Sequence, residues 1–292
     1  MSNRNSQANK QAARERLRAE RERQAKKERV RRQLVVGGAV VGVLAVAGGI
    51  GFAVAASGGG DTADTAKSAV ANAAAGSDKA WAKAAKSKVV KPANTDGAKG
   101  TTIVIGKPAA KNTVSLFEDP RCPGCAGFEQ NVGATVEKDI KDGKYKAAYH
   151  MGTFLDGNLK GTGSKNALSA LGAALNVSPD AFLKYKYALF SKEYHPDETG
   201  PDKFADDSYL IEVADTVPAL KGNAAFRKAV TGGTYDRWAL EMSDEFNSHK
   251  DVTSTPTIKV NDTVIGTNTA QGMSAPSTTA EFTAMVDKEL KH

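Results

Sequence analysis

The chain has 292 residues and a formal net charge of +7 at pH 7, and that charge is unevenly distributed. Residues 1–33 hold twelve Lys and Arg against four Glu, so the remaining residues carry a net charge of −1. A nucleic-acid-binding domain needs a positive face on its folded part, and this distribution does not supply one. We therefore expect no nucleic-acid partner.

The first 56 residues have the pattern of a membrane anchor. Residues 1–33 are predicted to form a charged cytoplasmic arm with almost no apolar side chains to bury. Leu34 to Ala56 is an uncharged run of mainly Val, Ala, Gly and Leu, long enough to cross a hydrocarbon core of roughly 30 Å. Basic residues precede this run and Lys67 is the next to follow, so the positive-inside rule predicts a single-pass protein of the cell membrane with a cytoplasmic N-terminus. The alternative is a cleaved signal peptide, because Ala53-Val54-Ala55 resembles a cleavage site.

A flexible linker is predicted over residues 57–100. It has three glycines at 58–60 and continues with mainly Ala, Ser, Thr, Asp and Lys, among which Val70 and Trp81 are the large side chains that could pack. The sequence pattern of a folded domain starts at Thr101 and continues to the end of the chain.

The first part of this domain, 101–292, has a strand–helix–strand pattern. Strands are predicted over 101–105, 111–117 and 145–151, with a helix over 123–141 between the second and third. Pro123 suits the first helical turn, and Asp142-Gly143 ends the helix. This order predicts a parallel strand pair joined by a right-handed crossover.

The middle of the domain is predicted to be helical and its end to return to strands. Helices are expected over 164–175, 179–192, 209–220, 224–230 and 235–246, giving a helical insertion of about 160–250. Thr257 to Val260 and Thr263 to Ile265 flank Asn261-Asp262, which predicts an antiparallel hairpin. A final helix is expected over 277–290.

The chain has two cysteines, Cys122 and Cys125, and they stand at the start of the first helix. A thiolate at such a position is stabilised by the free backbone N–H groups of the helix. A structural disulfide is the first alternative, although a bridge over two residues constrains the unfolded chain little. A metal half-site is the second, although zinc would need two further ligands and the four histidines lack ligand-like spacing. Redox chemistry is the preferred interpretation, with no cofactor and no bound metal expected.

Two short motifs carry a resemblance to a known family. Cys122-Pro123-Gly124-Cys125 follows a strand, and Ser254-Thr255-Pro256-Thr257 precedes a late strand. With the βαβ start and the terminal hairpin and helix, residues 101–292 resemble the DsbA-like thiol:disulfide oxidoreductases. The resemblance implies an α/β thioredoxin fold with an inserted helical domain, here preceded by the transmembrane helix and the linker. It also implies that Cys122 attacks, that Cys125 resolves, and that Thr255-Pro256 forms a cis bond beside the cysteines, with Pro123 and Gly124 as support.

The chain departs from this family in two places. Many DsbA-like oxidants have a His between the cysteines, where this chain has Pro-Gly, and the family often has a buried carboxylate where this chain has Leu116. Glu118 and Asp119 could replace that carboxylate, but their acidic-Pro turn predicts exposure. Arg121, next to Cys122, is expected to lower the pKa of the thiol by its charge.

The predicted function is an extracytoplasmic oxidoreductase that exchanges disulfides with exported proteins. Because the chain has one cysteine pair, a membrane redox partner must recycle it. The alternatives are a reductase or isomerase of the same fold, or a redox-inert or metal-handling binding module. His150 is expected to be a packed or surface residue and His195 to be solvated. For His249, a position near the cysteines is the less favoured of two alternatives.

Overall fold

The computed structural model describes residues 80–97, 99–269 and 272–290. The predicted cytoplasmic arm, the predicted transmembrane anchor and the first part of the predicted linker lie outside these residues. Among the helices that are described, none has the length and apolar character needed to cross a membrane.

A five-stranded mixed sheet forms the centre of the fold, in the order β1-β3-β2-β4-β5. Its strands are β1 (Ile103–Ile105), β2 (Thr113–Glu118), β3 (Lys146–Met151), β4 (Thr257–Val260) and β5 (Thr263–Ile265). β2 is parallel to β3, as predicted, and antiparallel to β4. β5 pairs with β4 through the predicted hairpin, where Asn261 adopts a positive φ of 54°. A separate hairpin of β6 (Thr267–Thr269) and β7 (Gly272–Ser274) was not predicted.

The crossover between β2 and β3 contains three consecutive helical segments. They are α1 (Pro123–Phe128), a π-helical turn (Glu129–Gly133) and α2 (Ala134–Asp142). Pro123 occupies the first turn of α1, where its missing N–H costs no hydrogen bond. Gly143 ends α2 in the left-handed region, and its N–H reaches the carbonyls of Asp139 and Ile140. The predicted βαβ unit is therefore present.

Six α-helices lie between β3 and β4 in the chain. They are α3 (Phe154–Leu159), α4 (Gly163–Val177), α5 (Pro179–Leu189), α6 (Asp207–Ala214), α7 (Ala224–Thr231) and α8 (Asp236–Ser248), with a 3₁₀ turn at Lys203–Ala205. α4 is the central helix, and it packs against α5, α7 and α8. α9 (Thr279–Glu289) closes the fold and buries Phe282 and Val286. The helix predicted over 209–220 is wrong in its second half: it ends at Ala214, because Pro218 has no N–H to donate to the carbonyl of Ala214 and its ring would clash with that carbonyl in a continued helix.

The last part of the predicted linker contacts the folded domain. Residues 80–84 form a short helical segment in which Trp81 is 9% exposed, and the ammonium of Lys165 lies 5.6 Å from the centre of its ring. Further along, the indole N–H of Trp238 donates to the carbonyl of Gly100 at 2.6 Å. The packed region thus begins about twenty residues before the predicted start of the domain, because Trp81 supplies apolar area that the small and charged residues around it do not.

Candidate active site

The two cysteines occupy the junction between β2 and α1. Cys122 is the N-cap of α1, and its Sγ accepts a hydrogen bond from the backbone N–H of Cys125 at 3.3 Å. Both thiols are free; Cys125 is fully buried, whereas 6% of Cys122 is exposed. Cys122 is therefore the sulfur that an incoming thiol or disulfide reaches first.

The two thiols differ in acidity. The pKa of Cys122 is lowered, chiefly by the hydrogen bond from the Cys125 side chain and also by Thr255 and the backbone N–H of Cys125, against the opposing effect of burial. The pKa of Cys125 is raised well above its ordinary value by burial and by its contacts with Cys122 and the charge of Glu118. This asymmetry gives one thiolate nucleophile and one protonated, protected thiol.

The loop before β4 completes the surface around Cys122. Pairing of β2 with β4 sets Phe117 opposite Thr257, which brings the cis Thr255–Pro256 bond beside the cysteines. Cys122 Sγ lies 3.5 Å from the carbonyl oxygen of Thr255. A Cβ at Gly124 would lie 3.1 Å from Pro256 Cδ, so the absence of a side chain there lets the loop pack closely.

The acidic turn before the cysteines is buried, and the prediction that it is exposed was wrong. Glu118 and Asp119 have no exposed surface. Asp119 accepts hydrogen bonds from the backbone N–H of Arg121 (2.9 Å), the hydroxyl of Ser164 (2.6 Å) and the backbone N–H of Leu155 (3.1 Å). Burial raises its pKa to about 6 despite these donors. Asp119 thus fixes the turn that positions Cys122 against α3 and α4.

Glu118 belongs to a buried charged cluster that the sequence pattern did not reveal. Lys186 of α5 is fully buried, and its Nζ lies 3.1 Å and 2.9 Å from the two carboxylate oxygens of Glu118 and 2.5 Å from Glu129 Oε2. Burial, with the nearby charge of Glu129, raises the pKa of Glu118 to about 7, although Lys186 opposes the shift. Burial disfavours the ammonium, but Glu118 and Glu129 outweigh it and raise the pKa of Lys186. A titratable carboxyl therefore lies close enough to Cys125 to alter its acidity.

Arg121 does not have the role expected from its position in the sequence. Its side chain is 4% exposed, and it pairs with Asp156 at 3.3 Å and Asp202 at 3.4 Å. Those two carboxylates hold its charge, and Arg121 is not among the groups that shift the pKa of Cys122. Its contribution is to attach the active-site turn to α3 and to the segment before the 3₁₀ turn.

A groove of about 290 Å³ adjoins the cysteine pair. Its walls include Pro123, Gly127, Phe190 and His195. His195 was expected to be solvated, but its Nε2 lies 3.1 Å from the carbonyl oxygen of Pro120, and burial lowers its pKa. The other two described histidines, His150 and His249, both contact the ring of Phe117 on β2.

Comparisons with known proteins agree with this geometry. The family model described as Thioredoxin matches residues 98–288. Disulfide bond formation protein D of Bacillus subtilis is 28% identical over 163 residues, which cover 56% of this chain and 68% of that protein. Serine/threonine-protein kinase PknE of Mycobacterium tuberculosis is 26% identical over 119 residues, which cover 40% of this chain and 21% of the kinase, so the match spans about a fifth of that relative.

Two solved structures from Mycobacterium tuberculosis show a similar fold. The reduced disulfide bond oxidoreductase DsbG has a TM-score of 0.50 and 29% identity, over 67% of this chain and 85% of that one. Oxidised DsbA has a TM-score of 0.50 and 28% identity, over 66% of this chain and 90% of that one.

Proposed function

Because this chain belongs to the thioredoxin family and is DsbA-like, we propose that it is an extracytoplasmic thiol:disulfide oxidoreductase that exchanges disulfides with exported proteins. The observation that carries the proposal is the difference between its two thiols. Cys122, at the N-terminus of α1, is the more exposed of the two and has a lowered pKa, whereas Cys125 has no exposed surface and has a raised pKa. This arrangement provides an attacking and a resolving thiol.

In the oxidising direction, the active form carries a Cys122–Cys125 disulfide. A substrate thiolate attacks Cys122 Sγ, the Cys122–Cys125 bond breaks, and Cys125 leaves as a thiolate that takes up a proton. A second substrate thiolate then attacks the substrate sulfur of the mixed disulfide, and Cys122 leaves as a thiolate. The substrate loses two electrons to form its disulfide, and the enzyme pair is reduced.

Glu118 is proposed as the proton donor to the departing Cys125. A thiol with a strongly raised pKa is a poor leaving group as a thiolate, so a nearby acid speeds its departure. The pKa of Glu118 is about 7, which leaves it partly protonated at neutral pH. In the reverse step its carboxylate accepts the proton of Cys125.

The oxidising direction is favoured by stabilisation of the reduced form. Lowering the pKa of Cys122 stabilises its thiolate, and a stabilised reduced form makes a cysteine pair more oxidising. Pro123, Gly124, Thr255 and Pro256 are proposed to shape the contact with the substrate, and Arg121 to hold the turn. An external oxidant must restore the disulfide, since the sequence has no second cysteine pair.

The proposed domain layout follows the sequence pattern. Residues 1–33 form a cytoplasmic arm, residues 34–56 anchor the chain in the membrane, and a linker leads to the thioredoxin-like domain with helices of about 160–250 inserted in it. A membrane redox partner is proposed to recycle the cysteine pair at that surface.

Two measurements test this function. We expect the full chain to oxidise a reduced, unfolded secretory protein, and both Cys122→Ser and Cys125→Ala to lose that activity. A Cys122→Ser variant that retained the wild-type rate would refute the proposal. Equilibration with glutathione gives the reduction potential of the Cys122–Cys125 pair and hence the direction of electron flow. A value of about −120 mV supports an oxidant, and one of about −270 mV supports the reductase alternative.

A further inference from the structure

Three potential metal ligands converge away from the cysteines, at the junction of β3 and α8. His150 is on β3, Glu245 is on α8, and His249 directly follows α8. His150 Nδ1 lies 3.2 Å from each carboxylate oxygen of Glu245, and His249 Nε2 lies 2.7 Å from Glu245 Oε1. All three donor atoms lie within 4.8 Å of one another.

These distances are close to those of a tetrahedral zinc site. Zinc binds histidine nitrogen and carboxylate oxygen at about 2.0–2.2 Å, which places its ligand atoms about 3.4 Å apart. The present spacings require movements of about an ångström or less. Two histidines and one glutamate are also a ligand set that zinc accepts while leaving a fourth position open.

The surroundings hold the two imidazoles in place. The ring of Phe117 stacks on His150 with centroids 4.5 Å apart, and its edge contacts His249 at 4.9 Å. Such packing limits the rotation of both rings, so little conformational entropy is lost when they bind an ion. The ammonium of Lys259 lies 4.8 Å from the centre of the same Phe117 ring and is paired with Asp251 at 2.6 Å.

Access to solvent differs among the three ligands in a way that suits an ion site. The side chain of His150 is 10% exposed, that of Glu245 is 23% exposed, and that of His249 is 30% exposed. An ion can therefore enter from the side of Glu245 and His249, and a water molecule can fill the fourth position. A fully buried cluster would offer no such path.

We propose that His150, Glu245 and His249 form a binding site for a zinc-like divalent transition-metal ion, separate from the cysteine pair. The ion takes the place of the hydrogen bonds between the imidazoles and the carboxylate, and each ring keeps its remaining proton on the other nitrogen. The proposal departs from the expectation of no bound metal, which rested on the spacing of the histidines in the sequence. Residues 150 and 245 are far apart in the sequence, so only folding brings them together.

The site has a defined relation to the loop beside the cysteines. His249 begins the segment that leads to Thr255 and Pro256, and the backbone N–H of Val252 donates to the carbonyl of His249 at 3.0 Å. An ion bound by His249 and His150 would fix the start of this segment to the central sheet. The proposal does not depend on the oxidoreductase function and can fail without affecting it.

The test uses the full chain in its oxidised form, because a disulfide removes both thiols as competing ligands. Co²⁺ is the first probe, since tetrahedral Co²⁺ absorbs strongly in the visible range, and Zn²⁺ titrated by calorimetry is the second. We expect one ion per chain and affinity at least tenfold weaker in both Glu245→Gln and His249→Gln. His195→Gln, which alters a histidine outside the cluster, is the matched control and should bind as the wild type does.

Two results would overturn the proposal. One is the absence of saturable binding by the wild-type chain at micromolar Zn²⁺. The other is binding of unchanged affinity in Glu245→Gln and His249→Gln, which would place the ion elsewhere. Both variants keep a hydrogen-bonding group at the substituted position, and far-UV circular dichroism checks that they fold.

Discussion

Glu118→Gln provides a direct test of the buried charged cluster beneath the cysteines. In the folded protein this carboxyl keeps its proton up to a pH of about 7, compared with an ordinary pKa of 4.5. The folded state therefore binds more protons than the unfolded state between these two values. Stability from this group is fully present below pH 4.5 and is lost as the pH rises towards 7.

The size of the effect follows from the shift in pKa. Raising a pKa from 4.5 to about 7 corresponds to about 3 kcal/mol, at about 1.4 kcal/mol per pKa unit. Asp119, whose pKa is raised from 3.8 to about 6, also makes the protein less stable as the pH rises, over a lower range of pH. Only the Glu118 part disappears in Glu118→Gln, so the difference between variant and wild type isolates it.

The assay is urea unfolding of the reduced full chain at pH 4, 6 and 8. The free energy of unfolding of the variant minus that of wild type should increase by about 3 kcal/mol from pH 4 to pH 8. This increase is expected whatever the difference between the two proteins is at pH 4. Glu118→Asp, which keeps a titratable carboxyl, is the matched control and should preserve the pH dependence. Parallel pH profiles for wild type and Glu118→Gln would refute the assignment of a raised pKa to Glu118.

Three further predictions concern other parts of the structure. Lys186→Met leaves two buried carboxylates without their cation and should cost about 3–5 kcal/mol at pH 8 and less at pH 5; equal loss at both values in urea unfolding would contradict this. Gly124→Ala places a methyl group 3.1 Å from Pro256 and should slow exchange with an unfolded protein more than with glutathione in stopped-flow assays; equal slowing would argue against a role in the substrate contact. Trp81→Ala should lower stability by about 2–4 kcal/mol and expose the segment before residue 100 to proteolysis, with the pKa of Cys122 unchanged in thiol alkylation; an unchanged digestion pattern would show that Trp81 does not anchor it.

Local patterns in the sequence were enough to predict the framework of the site. The apolar run before Cys122 and the helical spacing after it predicted β2, the following helix and the parallel pairing with β3. The resemblance to the DsbA-like family implied the cis Thr255–Pro256 bond beside the cysteines, and that bond is present. The strands and the helix depend on neighbouring residues, which is why a local pattern reveals them.

The charged parts of the site depend on long-range contacts and left no local signal. Glu118 was predicted to be exposed because acidic residues before a proline usually lie in solvated turns, yet Lys186, distant in the sequence, pairs with it in the interior. Arg121 is adjacent to Cys122 in sequence, but Asp156 and Asp202 direct its guanidinium elsewhere. Proximity along the chain was therefore a poor guide to which charge acts on the thiol.

The contact between Cys122 and Thr255 joins residues that are 133 positions apart. At about 5–20 residues per second, the ribosome needs roughly 7–27 seconds to make the chain between them. During that interval the thiols belong to a nascent segment that lacks the Thr255 contact and the partner strand β4. The order of synthesis thus delays completion of the active site, because the surroundings of Cys122 are complete only when nearly the whole domain has been made.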